Sequence, residues 1–307
     1  MVKIKVCIFG IYYPLAMLSY FREAFEQRND IELYTCGPFT SDWIPWANGI
    51  KLPIKYVHPP TVALPQQSIG ISPSYNLVKS MLPNNLDLAL CIDAGWHFSD
   101  RPKAKVVALV KTDPHAIPDI HYSVPANYSN VVFNMQDFYR DGNEILLPYA
   151  YSPRIHFHED REKIYDACLI GLHYEHRNAL IKRLRDRGLN VYYSIGEIYS
   201  EYRQKYNESK IALSWSSKYD LPARFFEGLA MQLPVVSNIV PDQKLLGFCS
   251  EEHFLGFTTI DEAENQVMRL LNDKELLDKI AISGYNRVKE HTWDARAQKI
   301  LEECKLL

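Results

Sequence analysis

The chain has 307 residues, 47% of them hydrophobic, and a formal net charge of −3. That length suits two domains of ordinary size, and that composition suits a packed globular protein and excludes a disordered one. No overall basic excess advertises nucleic acid or an anionic membrane surface. In chain order, KIKVCIFG (3–10) is β-rich and closes on Gly10. A helical pattern follows, with Leu18, Phe21, Arg22 and Phe25 at helical spacing, and then IELYTCG (31–37) reads as a second strand. This is a strand–helix–strand unit, the building block of a parallel sheet. Residues 38–75, rich in Pro, Ser, Trp and Tyr, read as long loops. DLALCID (87–93), KVVALVKTD (105–113) and NVVFN (130–134) are further buried strands, the first two closing on an aspartate.

EILLPYAYSPRIHF (144–157) reads as a bridge, after which the alternation restarts. YDACLIG (165–171) is a strand ending in glycine. HRNALIKRLRDRG (176–188) is an amphipathic helix closed by Gly188, a natural residue for the position just past a helix. VYYSIG, KIALSWS, LPVVSN and LGFTT follow as strands, and residues 261–281 and 293–305 read as two terminal helices. Two similar α/β halves are therefore expected. Open parallel sheets bind ligands at the carboxyl ends of their strands, so polar residues just after strands are where function is sought.

The six cysteines, Cys7, Cys36, Cys91, Cys168, Cys249 and Cys304, are widely spaced and form no CxxC pair. They read as reduced thiols of a cytoplasmic protein. MVKIKVCIFGIYYPLAML lacks the apolar core and small-residue cleavage site of a signal peptide, and no stretch approaches the apolar run that spans a bilayer.

The stretch DLPARFFEGLAMQLPVV (220–236) places Arg224 and Glu227 in an otherwise apolar helix. Pro222 is tolerable only in the first turn, so the helix is expected to begin near Asp220 or Leu221, with Asp220 as its cap. Three residues apart, Arg224 and Glu227 share a face, and as a plain surface ion pair they would contribute only about 0.2–0.5 kcal/mol. Three features favour a ligand instead. The pair lies in the first turns, where free N–H groups favour an anion. Its neighbours are apolar, so unpaired charge is costly. It also follows a strand and a polar loop.

EGLAMQLPVV (227–236) resembles the E-A-x-A-x-G-x-P-V-V signature of nucleotide-sugar glycosyltransferases of the GT-B fold. With Asp220-Leu221-Pro222-x-Arg224-x-Phe226 before it, it most resembles the spore-maturation-protein-like, group 1 branch, whose pattern runs D-L-P-x-R-x-F-E. LLPYAYSPRIHF, YDACLIGLHYEHRNALIKRL and HTWDARAQKIL (291–301) resemble the branch's bridge, second-domain opening and final helix. The resemblance runs from about residue 145 to the end. It implies two Rossmann-like domains facing across a cleft. Residues 1–148 would hold the acceptor and 149–292 the nucleotide-sugar, with 293–307 a helix crossing back to the first domain.

The resemblance also implies roles. Glu227 would bind the ribose hydroxyls and Arg224 the diphosphate. Gly171, with Leu172 and His173, would form the tight turn where backbone N–H groups approach phosphate, assisted by Arg177. Asp220, Leu221 and Phe225 complete the donor set. Two positions depart from the pattern: Gln232 stands where the family has Gly, and Tyr219 stands where retaining members carry a second acid. Inverting and retaining outcomes both stay open.

On the acceptor side, Asp93 ends a strand and has the chemistry of a base toward a hydroxyl. Asp113 and His115 in KTDPHA follow the next strand and are the other catalytic candidates. Gly10, Tyr12 and Tyr13 in GIYY follow the first strand and are candidates to line the acceptor site. The cluster His156, His158, Glu159, Asp160 has no partners at zinc-site spacing, so no metal is expected. The implied enzyme is a hexosyl- or pentosyltransferase using a nucleotide-diphospho-sugar, taken as UDP-linked. It would need neither a metal nor a cofactor, since no DxD motif follows a strand. Its acceptor could be a glycan, a protein, a small molecule or a modified nucleic-acid base. Other readings on the same scaffold are a sugar-nucleotide epimerase or hydrolase and a non-catalytic sugar-nucleotide sensor. The sequence says nothing of oligomeric state.

Overall fold

The computed structural model describes residues 3–45, 50–92, 95–117, 119–216 and 218–307. The chain forms two compact units, Met1–Pro148 with Trp293–Leu307, and Tyr149–Thr292.

The first unit contains β1 (Ile4–Phe9), α1 (Met17–Glu26), β2 (Ile31–Pro38), β3 (Val62–Leu64), β4 (Leu86–Ile92), β5 (Ala104–Lys111), α2 (Asp119–Tyr128), β6 (Val131–Asn134) and β7 (Ile145–Leu146). Its strands lie in the order β3-β2-β1-β4-β5-β6-β7, all parallel. The order reverses between β1 and β4, which is where such a sheet offers its ligand crevice. Strands covered on both faces read as continuous apolar runs, as IKVCIF and LDLALCI do. Phe9, Tyr75 and Phe98 interlock edge to face in the core, with ring centroids 5.2–6.3 Å apart. Cys7, Cys36 and Cys91 are buried free thiols there, and burial pushes the last two up to about 12.

The closing helix, Trp293–Glu303, belongs to this unit. Trp293 is fully buried and stacks on Tyr20 of α1 at 5.4 Å. Arg296 Nε donates to the Pro148 carbonyl at 2.7 Å, and Arg28 Nη1 to Gln298 Oε1 at 2.6 Å.

The second unit contains β8 (Tyr165–Ile170), α3 (Glu175–Asp186), β9 (Val191–Ser194), α4 (Tyr199–Asn207), β10 (Ser209–Ser214), α5 (Ala223–Ala230), β11 (Val235–Asn238), α6 (Pro241–Leu245), β12 (Leu255–Phe257), α7 (Ile260–Asn272) and α8 (Lys274–Val288). Its parallel strands run β12-β11-β10-β8-β9, so its order reverses between β8 and β10. α5 packs closely on this sheet. A Cβ at Gly228 would lie 3.0 Å from both Ala212 Cβ and Val235 Cγ2.

The parallel α/β class is the one the sequence predicts, but three local expectations differ. The helix predicted over 261–281 is two helices, because Asp273 is extended and its carboxylate caps α8 by accepting from Leu276 N–H at 2.9 Å. The loop predicted over 38–75 contains β3, a three-residue strand on the edge of the sheet. α5 begins later than predicted: Pro222 is its N-cap residue and no side chain caps it, so Asp220 is not a cap.

Candidate active site

The carboxyl ends of β8 and β10 flank the reversal point of the second sheet, and two arginines converge there. Arg224, on the first turn of α5, donates from Nε to the Ile170 carbonyl at 2.8 Å. Arg177, on the first turn of α3, donates from Nη1 to Leu172 O and from Nε to Trp215 O, each at 2.9 Å; Nη2 also reaches Trp215 O. Arg177 thereby ties the loop after β8 to the loop after β10. It is 4% exposed. Burial, and after it the neighbouring Arg224 guanidinium, bring Arg177 down to about 10, so it stays charged at neutral pH.

The backbone is shaped for this approach. Gly171, the residue after β8, has φ +150, and a Cβ there would overlap the Arg224 guanidinium. Gly171 N–H is itself bonded to Ser194 O at 3.0 Å. α5 carries no acid in its first turn and no side-chain cap, so its N-terminal N–H groups and positive dipole end stand beside Arg224. Arg224 Nη1 is buried without a hydrogen-bond partner among the described residues. Two clustered cations, one with an orphaned donor, at a helix N-terminus suit a ligand with two or more negative charges.

Glu227 lies one turn further along α5 and is 5% exposed. No ion pair joins it to Arg224 among the described residues. Its Oε2 accepts from Tyr202 Oη at 2.6 Å, and its Oε1 lies 3.5 Å from His156 Nε2. Burial, then the nearby Glu227 charge, raise the Tyr202 hydroxyl well above its usual value, so it is a donor throughout the physiological range. The other predicted donor residues are less direct. Asp220 is buried and its Oδ1 accepts from Lys218 N–H at 3.1 Å. Leu221 is buried. Phe225 is fully buried, its ring against Phe248 at 5.0 Å and Phe254 at 5.2 Å, so it belongs to the core and presents no surface to a ligand. His173 is exposed, its ring 4.2 Å from that of Tyr193.

In the first unit, Gly10, Tyr12 and Tyr13 lie at the end of β1. Tyr12 is 2% exposed and its hydroxyl donates to Ile8 O at 2.8 Å, which makes it part of the core; Tyr13 is half-buried. Asp113 and His115 follow β5. The Asp113 carbonyl accepts from Ala116 and Ile117 N–H, each at 2.9 Å, and its Oδ2 accepts from Thr112 Oγ1 at 3.2 Å. His115 faces the Tyr139 ring at 6.1 Å, and its Nδ1 is buried without a partner among the described residues. Asp93 lies outside the described residues.

Sequence reasoning missed Tyr202, which carries no local signal, and considered His156 only as a metal ligand. His156 turns into the core while His158 is exposed and Glu159 pairs with Arg203 at 2.6 Å. It also missed Lys111, buried at the end of β5 and paired with Glu144 at 2.5 Å. Among the described residues, the one group of three metal-ligating side chains within reach of one another is Cys249, Glu252 and His253, none of them in this arrangement. No helix among the described residues is long and apolar enough to cross a membrane.

Residues 156–302 match the family model described as glycosyl transferase-like. No curated protein matches the chain by sequence. Among solved structures, the chain is similar to sucrose-phosphate synthase from Thermosynechococcus elongatus, at 11% identity over 99% of each chain and a TM-score of 0.64. It is similar to HepE of Anabaena in complex with UDP-glucose, at 10% identity over 99% of this chain and 100% of that one and a TM-score of 0.64. It is also similar to an alpha-glucosyltransferase in complex with UDP and a DNA 13-mer containing an HMU base, at 11% identity over 99% and 100% and a TM-score of 0.63. The chain thus has the two-domain Rossmann-like fold of the GT-B glycosyltransferases, and residues 156–302 carry the pattern of the glycosyl transferase-like family.

Proposed function

We propose that the protein is a glycosyltransferase that moves a sugar from a UDP-sugar to an acceptor hydroxyl without a metal ion or other cofactor. The observation that carries this reading is the Arg177–Arg224 pair beside Gly171, with Arg224 Nη1 buried and unpartnered among the described residues. A diphosphate leaving group needs its developing charge neutralised, and fixed cations with a helix N-terminus supply that without a divalent ion. Glu227 would accept from the ribose hydroxyls. The family match over 156–302 supports group transfer from an activated sugar. The choice of UDP is supported by the UDP and UDP-glucose in two similar structures. Asp93, Asp113 and His115 are proposed as the candidates to take the acceptor proton, with Tyr13, which follows β1 in the first unit, as a candidate to line the acceptor site; Tyr12, whose side chain is in the core, is not. Of the acceptor classes, a nucleic-acid base is disfavoured by the net charge of −3, since duplex binding leans on phosphate contacts.

Calorimetric titration of UDP, GDP, ADP and dTDP and their sugars tests the donor, with and without EDTA. Binding of a UDP-sugar that survives chelation is the expected result. Loss of binding on chelation would overturn the metal-free reading. Release of UDP on addition of a hydroxyl acceptor separates a transferase from an epimerase or a sensor.

A further inference from the structure

Glu227 is gripped from two sides by groups that come from other parts of the second unit. Tyr202 stands on α4 and donates to Oε2 at 2.6 Å. Behind it, Tyr206 packs ring on ring at 4.5 Å, and its hydroxyl accepts from Ile170 N–H at 3.4 Å. Ile170 therefore serves both halves of the site: its N–H reaches the tyrosine pair that backs Glu227, and its carbonyl takes Arg224 Nε at 2.8 Å.

His156 approaches Oε1 from the segment between β7 and β8. Its Nδ1 accepts from Ser152 N–H at 3.1 Å, and its backbone N–H donates to Ser152 O at 2.7 Å. An imidazole that accepts at Nδ1 carries its proton on Nε2 when neutral. Nε2 lies 3.5 Å from Glu227 Oε1, a close approach rather than a hydrogen bond, so Tyr202 donates to one carboxylate oxygen and the imidazole faces the other. The His156 ring also meets the Tyr202 ring edge to face at 5.7 Å, which packs the two donors against each other.

We propose that Tyr202 and His156 are positioning residues that fix the rotation of the Glu227 carboxylate so that a lone pair on each of its oxygens receives one hydroxyl of a ribose diol. The proposal rests on the reading of this unit as the nucleotide-sugar site. The last torsion of a glutamate is broad and nearly two-fold, so without neighbours the carboxylate plane would wander. A carboxylate accepts about four hydrogen bonds. One is taken by Tyr202 on Oε2 and the imidazole edge faces Oε1, which leaves a lone pair on each oxygen for a diol. A deoxyribose offers only one of the two donors, so this arrangement also selects a ribonucleotide.

The test compares UDP with 2′,3′-dideoxy-UDP by calorimetry on the wild type, Tyr202→Phe, His156→Ala and His156→Gln. The wild type is expected to bind UDP more tightly than the dideoxy analogue. Tyr202→Phe and His156→Ala are expected to weaken UDP about tenfold while leaving the analogue within about twofold. His156→Gln, which retains an N–H donor, is expected to recover part of the loss. The analogue is the internal control for folding, because a variant that merely disturbs the unit loses both ligands together. Equal loss of both ligands, or unchanged UDP affinity in Tyr202→Phe and His156→Ala, overturns the positioning role. A wild type that binds the two ligands equally overturns the placing of Glu227 on the ribose itself, a result distinct from either.

Discussion

The Arg224 guanidinium occupies the space that a side chain on residue 171 would need. Sequence chose glycine at the one position where β8 ends against an arginine from α5, and the strand end is bonded to that arginine through Ile170 O. A methyl group would have to displace Arg224, and the φ of +150 is one that L side chains rarely adopt. Gly171→Ala is therefore expected to weaken UDP binding by about tenfold to a hundredfold, the worth of a charge-assisted hydrogen bond. Calorimetry checks this. Unchanged affinity in a folded variant would separate the glycine from the phosphate site.

Arg224 and Arg177 should matter to the diphosphate and not to the nucleoside. Arg224→Ala removes a buried guanidinium whose Nη1 has no partner among the described residues, so the loss should be confined to ligands that carry phosphate. UDP affinity is expected to fall by at least about tenfold, with uridine affinity held. Arg177→Ala is expected to cost stability as well, because its bonds to Leu172 O and Trp215 O join the loops after β8 and β10. Melting temperature and UDP titration on the two variants distinguish these outcomes. Parallel loss of uridine and UDP would contradict the assignment.

The strands were legible because parallel sheets covered on both faces write themselves as apolar runs, and β1, β4, β5 and β8 lie within a residue or two of the expected segments. The Gly188 stop was legible too: its φ is +83 and the following Leu189 N–H returns to Leu184 O at 3.2 Å. α2 escaped because Pro125 sits inside it. The break between α7 and α8 escaped because apolar residues continue on either side of Asp273, and only its capping role marks the boundary. At the site, Arg224 and Glu227 stood out as charges in an apolar helix. Tyr202 could not, since it lies 25 residues from the carboxylate it holds and only the tertiary fold brings it near.

Gln232 marks a place where this chain departs from the resembling pattern, and the structure gives the departure a measurable cost. It is exposed and left-handed, with φ +57. Gln232 N–H bonds to Leu229 O at 3.0 Å and Leu233 N–H to Gly228 O at 3.2 Å, the bond pair of a Schellman turn, whose preferred residue there is glycine. The left-handed region costs an L-residue roughly 1–2 kcal/mol, partly offset by the larger unfolded-state entropy of glycine. Gln232→Gly is expected to stabilise by up to about 1 kcal/mol, a few degrees in melting temperature. A destabilised variant would show that the glutamine side chain contributes something that glycine loses.

Stability should fall on the acid side through two strand-end aspartates. Partial burial pushes Asp166 up, but hydrogen bonds from Lys210 Nζ at 2.8 Å and Asn190 N–H at 2.9 Å outweigh it and hold the carboxyl below its usual value. Asp87 is held low in the same way, against its own burial, by Lys105 and by Lys5 N–H at 2.8 Å. A depressed folded pKa favours the ionised form in the fold. Its stabilisation is complete above the unfolded pKa of about 3.9 and is lost as pH falls through the folded values. Melting temperatures measured from pH 7 to pH 3 should be flat to about pH 5 on this account and then decline. The decline should be shallower in Asp166→Asn, which has less to lose. An unchanged slope would assign acid sensitivity to other carboxylates.

The acceptor-side proton is the remaining chemical question, and the surroundings of Asp113 and His115 bear on it. The Asp113 carboxylate accepts from Thr112, and its carbonyl holds a turn through two N–H groups. That is the environment of a loop-forming aspartate, so Asp113→Asn is expected to change melting temperature more than turnover. His115 has a buried Nδ1 without a partner among the described residues, so no described bond occupies it. β4, the strand that precedes Asp93 in the sequence, lies beside the reversal of strand order in the first sheet, where a ligand crevice is expected. A general base contributes about 10²–10⁴-fold. Asp93→Asn is expected to lower turnover by about that factor with donor affinity intact, and His115→Gln by less. The measurement is UDP release with acceptor present, beside UDP-sugar affinity on the same variants. Near-normal turnover in Asp93→Asn together with a collapse in His115→Gln would move the base to the histidine. Loss of donor affinity along with turnover would make Asp93 a structural residue of the loop after β4.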